Sequence, residues 1–437
     1  MLLEFRTKNY KSFKDELLFS MIPAPKQKGL DYSILRGTFG SKKVKALCSA
    51  VIYGPNASGK SNIISAMEVL QFIILRGNIR DHDRSTMHNA AIDNLALIPN
   101  RSFHTPEPVH FAIKFMEEGF MLEYRLVIDL GLFLDDDYNR TILSENLYVN
   151  EQPIFSREQS LDFGDMLVIR DYWNNELDGN KNVIASLARN NLNREELFLM
   201  NGFKTMFSSK LAGLIRSWIE HKFMVIYRAD ALQLVRRFAD PKKKTIYIEQ
   251  TINKAAELFG INSNALGYVV HDEESEAKLY SLFEDHQLLP AEIFESHGTY
   301  RFMNLFPLAV NALLNGGTLI VDEFDSALHP MAVMSIVNLF HNNDLNKKNA
   351  QLIFNTHNPI FLNANLFRRD EIKFVERKEQ THESIHYSLS DFGTSGDNAV
   401  RMHGDYIKNY FIGRYGAIMD IDFTPIFEKL LTESNEV

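Results

Sequence analysis

Gly54-Pro55-Asn56-Ala57-Ser58-Gly59-Lys60-Ser61, GPNASGKS, is the stretch on which the reading of this chain turns. It follows the continuous apolar run Ala46–Tyr53 (ALCSAVIY), which reads as one buried parallel strand. It precedes Ser61–Leu75, where Ile64, Met67, Val69, Leu70, Ile73 and Ile74 recur at helical spacing and Gly77 offers a C-cap. Gly-x4-Gly-Lys-Ser between a strand and a helix is the spacing of a phosphate-binding loop. Gly54 and Gly59 permit the tight turn. Pro55, Asn56, Ala57 and Ser58 complete a loop whose amides, with the first helical turn at Asn62, face an anion. Lys60 supplies a mobile positive charge, and the Ser61 hydroxyl suits Mg²⁺. The expected ligands are ATP and Mg²⁺.

A nucleotide loop of this kind needs a carboxylate at a neighbouring strand end. Thr318-Leu319-Ile320-Val321 is a second buried strand, and Asp322-Glu323 follows it directly. Asp322 is placed to serve the Mg²⁺ shell, and Glu323 to orient or deprotonate a water. Gln351–Asn355 reads as a third apolar strand, and His357 just past it could hydrogen-bond a terminal phosphate. Taken singly, an acidic strand cap or a strand-end histidine is an ordinary structural feature; the company of GPNASGKS points to function.

Glu295-Ser296-His297-Gly298-Thr299-Tyr300-Arg301-Phe302 opens an apolar helix running through Leu314 to Gly316-Gly317. Ser296 and Thr299 are good caps, and Gly298 leaves an amide open to close approach. The helix start is therefore a second anion site. One chain already cradles its phosphates at 54–61, so this site makes sense if it serves a nucleotide held by another copy. Pro307 inside the helix predicts a kink.

The chain has 437 residues, 45% hydrophobic and 24% charged, with a formal net charge of −9. That balance is globular, with ample material for a core and no global basic field to attract nucleic acid. Local basic clusters stand at Lys42-Lys43-Lys45, Arg236-Arg237 and Lys242–Lys244, so nucleic acid stays a possible partner through the last two. Cys48 is the only cysteine, which fits a reducing cytoplasm. The N-terminus lacks the apolar core of a signal peptide, and Phe302–Leu314 is too short to span a bilayer, so no membrane association is expected. Residues 1–20 read as an edge hairpin. Val109–Phe115, Met121–Leu130 and 141–157 alternate as an antiparallel sheet. The resulting division is 1–157, 158–290 as a mainly helical inserted lobe, and 291–437.

These motifs, in this order, resemble the head of an ABC-type ATPase. Asn9-Tyr10-Lys11-Ser12-Phe13 and GPNASGKSN are similar to the SMC and RecF-like group. Val321–Pro330 (VDEFDSALHP) and Gly413–Ile418 (GRYGAI) look like single-chain ATPases of bacterial phage-resistance and abortive-infection loci. The resemblance implies a P-loop NTPase of ABC-ATPase head type: an α/β fold with a mixed sheet, an antiparallel β subdomain and the inserted lobe. It implies ATP hydrolysis in a head-to-tail homodimer, or a higher homo-oligomer, sandwiching two ATPs. Ser296, Gly298 and Thr299 would be the signature reaching across, Asp325 part of the D-loop, and His357 the switch histidine. Lys11 and Ser12 would lie near the nucleotide. A Q-loop glutamine is not obvious; Gln152 is the candidate. It further implies a sensor or switch subunit acting with a separate effector, a nuclease or toxin. A DNA-maintenance ATPase and a nucleotide-bound scaffold with little turnover are the alternatives. Relatives of the lysogenization-defect type carry a TOPRIM nuclease; Glu376 and Asp420-x-Asp422 tempt that reading, but Arg377 replaces the glycine expected after the Glu, and a strand end with a surface acidic turn is preferred.

Overall fold

The computed structural model describes residues 1–25, 27, 29–80, 96–135, 138–173, 181–227, 253–254, 257–258, 265–269, 278–283, 287–393, 400, 404–419 and 422–434. Among the described residues its mainly parallel sheet has six strands: β1 (Ser49–Tyr53), β2 (Phe223–Ile226), β3 (Thr318–Val321), β4 (Gln351–Asn355), β5 (Ile372–Arg377) and β6 (Ser384–Ser388). The spatial order is β2-β3-β4-β1-β5-β6, parallel throughout except for β6. β1 to β4 are buried at every position because both faces are covered. The period of two divides them between two cores. Ala50, Ile52, Val225, Ile320, Ile353 and Val375 pack with α1 (Lys60–Arg76). Val51, Tyr53, Leu319, Val321 and Phe354 pack with α2 (His297–Asn315) and α3 (Pro330–His341).

α1 is covered on its other side by a seven-stranded antiparallel sheet. Its order is Leu161–Phe163, Gln152–Arg157, Thr141–Val149, Phe120–Asp129, Val109–Glu117, Leu2–Lys8, Leu17–Ser20. Phe5, Phe111, Ile113 and Tyr124 of that sheet share a core with Ile63 and Ile64 of α1. The buried Gln351 amide joins the two sheets, donating to the Leu2 and Leu47 carbonyls at 3.0 and 2.8 Å.

One expectation is corrected. Ala46–Tyr53 is not one strand. The chain breaks at Cys48: Lys42–Leu47 pairs with Ile34–Phe39, and only Ser49 onward joins the parallel sheet. Residues 46–53 are all buried, so no alternation betrays the break; Cys48 N–H is drawn off to the Ser33 carbonyl at 2.9 Å.

The described parts of 158–290 hold more helix than strand, with Met166–Tyr172, Lys181–Asn190, Ser209–Ser217 and Trp218–Lys222 among the helical segments, and they also contribute strands. Leu161–Phe163 ends the antiparallel sheet, and β2 is an edge of the six-stranded sheet. Ala265–Val269, Lys278–Leu282 and Leu288–Pro290 form a small sheet of their own. The segment is knitted to the head: Trp218 stacks on Phe115 at 3.9 Å, and the buried Glu145 carboxylate accepts from the Phe198 and Leu199 amides at 2.6 and 2.8 Å. Phe223-Met224-Val225-Ile226 is too short an apolar run to declare itself a strand beside polar neighbours. Arg236-Arg237, Lys242–Lys244 and Asp420 lie outside the described residues. Lys42, Lys43 and Lys45 are exposed. Among the described residues no helix is long and apolar enough to cross a membrane.

Candidate nucleotide site

In a parallel sheet, ligands gather beyond the carboxyl ends of the strands. Here β1 leads into Gly54–Gly59, β3 into Asp322-Glu323, β4 into His357, and β5 ends on Arg377. A cavity of about 380 Å³ is lined by Asn56, Ala57, Ser58, Gly59, Lys60, Ser61 and Asn62, with Ser12, Glu323, Asn355, His357 and Arg377. Gly54 and Pro55 form the back of the loop instead: their carbonyls accept the Lys60 ammonium at 2.8 and 3.0 Å. The Ser58 hydroxyl is buried without a hydrogen-bond partner among the described residues, an orphan that an anion's oxygen would satisfy. The glycines also answer to the tail of the chain. A Cβ on Gly54 would lie 2.2 Å from the Val375 carbonyl oxygen; one on Gly59 would lie 2.5 Å from Ser384 Oγ and 2.7 Å from Ser12 Oγ.

Lys60 is 5% exposed. Burial lowers its pKa to about 8, against the opposing pull of Asp322 and Glu323. A bound phosphate restores the proton, and the sign of the pH dependence follows. Below about pH 8 the ammonium is charged with or without ligand, so affinity is insensitive to this group. Above that, binding takes up a proton, and affinity falls by up to about tenfold per pH unit. Calorimetry near pH 9 in two buffers of different ionisation enthalpy measures the uptake; equal heats in both would sink the assignment.

At the next strand end, Ser61 Oγ donates to Asp322 Oδ1 at 2.8 Å. A hydroxyl and a carboxylate, both hard oxygen donors, suit Mg²⁺. Glu323 sits in the left-handed region, φ 50°, unusual for a residue with a Cβ. Two side chains hold it there. Asn355 Oδ1 accepts the Glu323 amide while its Nδ2 donates to Asp322 Oδ1, and the guanidinium of Arg301 donates to the Glu323 carbonyl. The carboxylate is left exposed at the cavity. Strain held by surrounding contacts at a strand end is a mark of a functional position. Burial, then Lys60, lowers the His357 pKa, so its imidazole is neutral at neutral pH and can both donate and accept.

Ser296 caps α2, its Oγ accepting the Thr299 amide at 3.1 Å and meeting Thr299 Oγ1 at 2.8 Å. The helix ends at Gly316, φ 70°, and is continuous across Pro307, so the proline does not end it. Gly298 is needed by a neighbour: a Cβ there would lie 2.5 Å from the Ala327 carbonyl oxygen. The 323–328 turn that presents Ala327 is shaped by Asp325, whose carboxylate accepts from Thr356 Oγ1 at 2.7 Å and whose carbonyl accepts the Leu328 amide at 3.0 Å. Burial raises the Asp325 pKa. Ser296, Gly298, Thr299 and Asp325 are not part of the lining of this chain's own cavity.

Ser12 lines the cavity and accepts from Asn62 Nδ2 at 2.8 Å, while the Lys11 ammonium turns to Ser65 Oγ at 2.6 Å and does not line it. Gln152 opens an exposed strand end paired with Val149 and is not in the lining. Glu376 accepts the Tyr387 hydroxyl at 3.1 Å, and Asp422 accepts the Thr424 amide at 2.9 Å; both are spent on structure. Sequence reasoning missed Asn355, Arg301 and Arg377 as site residues. Asn355 carried one signal, a polar residue ending an apolar strand opposite Asp322; the other two carried none.

A phosphate loop, a carboxylate pair and a histidine converging at the carboxyl ends of one parallel sheet define a P-loop NTPase fold. The chain belongs to the family described as "AAA domain, putative AbiEii toxin, Type IV TA system", whose model matches residues 49–363. No curated protein is similar enough to count as a match. Among solved structures, the chain is similar to an SMC head bound to the C-winged helix domain of ScpA, at 14% identity and TM-score 0.43 over 89% of this chain and 98% of that one. It is similar to the SMC head domain from Thermotoga maritima, at 16% identity and TM-score 0.37 over 89% and 98%. A third is an Smc head domain with an extended coiled coil bound to the C-terminal domain of ScpA derived from Pyrococcus furiosus, at 14% identity and TM-score 0.38 over 89% and 97%.

Proposed function

We propose that this chain binds and hydrolyses ATP in a head-to-tail pair, and that the pair acts as the switch of a prokaryotic anti-phage or abortive-infection system with a separate effector. The observation that carries the enzymatic part is the position of Glu323, pinned at the mouth of a cavity it shares with Lys60, Ser61 and His357. Lys60 and the loop amides bind the phosphates. Glu323 takes a proton from the water whose oxygen attacks the γ-phosphorus as the bond to the β-phosphate oxygen breaks. Neutral His357 holds a terminal oxygen in line by hydrogen bond. Mg²⁺, held by Ser61 with Asp322 behind it, would offset phosphate charge. The exposed N-terminus of α2, outside the chain's own cavity, supports completion of the pocket by Ser296, Gly298 and Thr299 of a second copy. The toxin–antitoxin wording of the family description supports the defence role. A soluble, cytoplasmic protein is the matching cellular setting.

Ser296→Arg tests the pairing. It is expected to abolish the dimer that ATP induces, read by sedimentation velocity, while each chain keeps its nucleotide affinity. A dimer that persists with Arg at this position removes the signature from the interface.

A further inference from the structure

We infer that Arg377 is a direct ligand of the nucleotide's phosphates, carried to the phosphate loop by the β5–β6 hairpin; this rests on the nucleotide reading above. β5 runs parallel to β1 only as far as the pair Phe374–Tyr53. Its last residues overrun β1 and continue beside the loop, which is why the Val375 carbonyl crowds Gly54. Lys373, Val375 and Arg377 alternate onto one face of β5, and Val375 packs in the core shared with α1. Arg377 therefore emerges on the side where α1 begins, and it lines the cavity with Asn56–Asn62.

The hairpin is built as a wall. Ser384, opposite Arg377, donates its hydroxyl to the Ser58 carbonyl and its amide to the Ser12 carbonyl at 2.8 Å. Behind it, Tyr387 donates to the Tyr415 carbonyl at 2.7 Å, and Gly416 leaves room for Tyr387 and Glu376. The GRYGAI run thus buttresses the hairpin.

Charge singles out Arg377 among its neighbours. Lys14 and Lys378 both pair with Glu383, at 3.0 and 3.3 Å. Arg377 donates Nε to the His382 carbonyl at 3.0 Å, and among the described residues its Nη1 and Nη2 make no hydrogen bond or ion pair. A guanidinium fork without a carboxylate, at the wall of the cavity that the phosphate loop lines, matches two phosphate oxygens. Ser384, its register partner, and Ser12 crowd Gly59, whereas Glu323 and His357 arrive from β3 and β4. Arg377 consequently serves the α/β end of the phosphate chain, and its loss touches diphosphate and triphosphate alike.

The test measures dissociation constants for ADP and a non-hydrolysable ATP analogue with wild type, Arg377→Ala and Arg377→Lys, together with the melting temperature of each nucleotide-free protein. Arg377→Ala is expected to weaken both ligands about tenfold or more, Arg377→Lys to recover part of that, and the melting temperatures to stay together. Unchanged affinities in Arg377→Ala overturn the inference, as does a loss matched by a lowered melting temperature in both variants. Loss for the triphosphate alone overturns the placement. Wild type that binds neither nucleotide overturns instead the function proposed above.

Discussion

Glu323→Gln is expected to lower steady-state ATP turnover by about 10²-fold or more while the protein still binds ATP and accumulates as an ATP-held dimer. The substitution keeps the shape of the side chain and removes the basic oxygen. Nothing that fixes the backbone is disturbed, because Asn355 and Arg301 hold Glu323 through its amide and carbonyl. The effect should therefore appear in kcat and not in the dissociation constant. Turnover by colorimetric phosphate release and mass by light scattering read the two halves separately. A variant turning over at the wild-type rate would leave a nucleotide-bound scaffold as the better description.

Lys60→Ala is expected to weaken nucleotide binding by about 10²-fold or more, since it removes a buried charge-assisted donor to phosphate. The nucleotide-free fold should suffer little. The ammonium is desolvated and, among the described residues, is bonded to the Gly54 and Pro55 carbonyls, so its removal takes away a costly buried charge. Differential scanning fluorimetry separates the outcomes: the melting temperature without ligand stays close to wild type, and the rise produced by saturating ATP disappears. A ligand-induced rise of wild-type size would place the phosphates elsewhere.

Much of the site was legible because its chemistry is local. Gly54–Ser61 announces itself through spacing alone, and the strands bearing Asp322 and His357 through apolar runs that end in polar groups. Ser296 as N-cap and Gly316 as C-cap of α2 follow from single-residue conformational preferences. The signal failed where burial erases alternation, as at Cys48, and where an edge strand is only four residues long, as at Phe223–Ile226.

The amino-acid sequence by itself determined that a phosphate loop, a strand-end carboxylate pair and a strand-end histidine exist in this chain, since each is specified by neighbours a few residues away. Only the tertiary structure decided what stands around them. The order β2-β3-β4-β1-β5-β6 brings Asn355 to Asp322, and the packing of α2 brings Arg301 to Glu323; the overrun of β5 past β1 sets Arg377 beside the loop. Those contacts join residues far apart in the chain, and sheet order and helix packing are settled by the burial of whole faces, which no local spacing encodes.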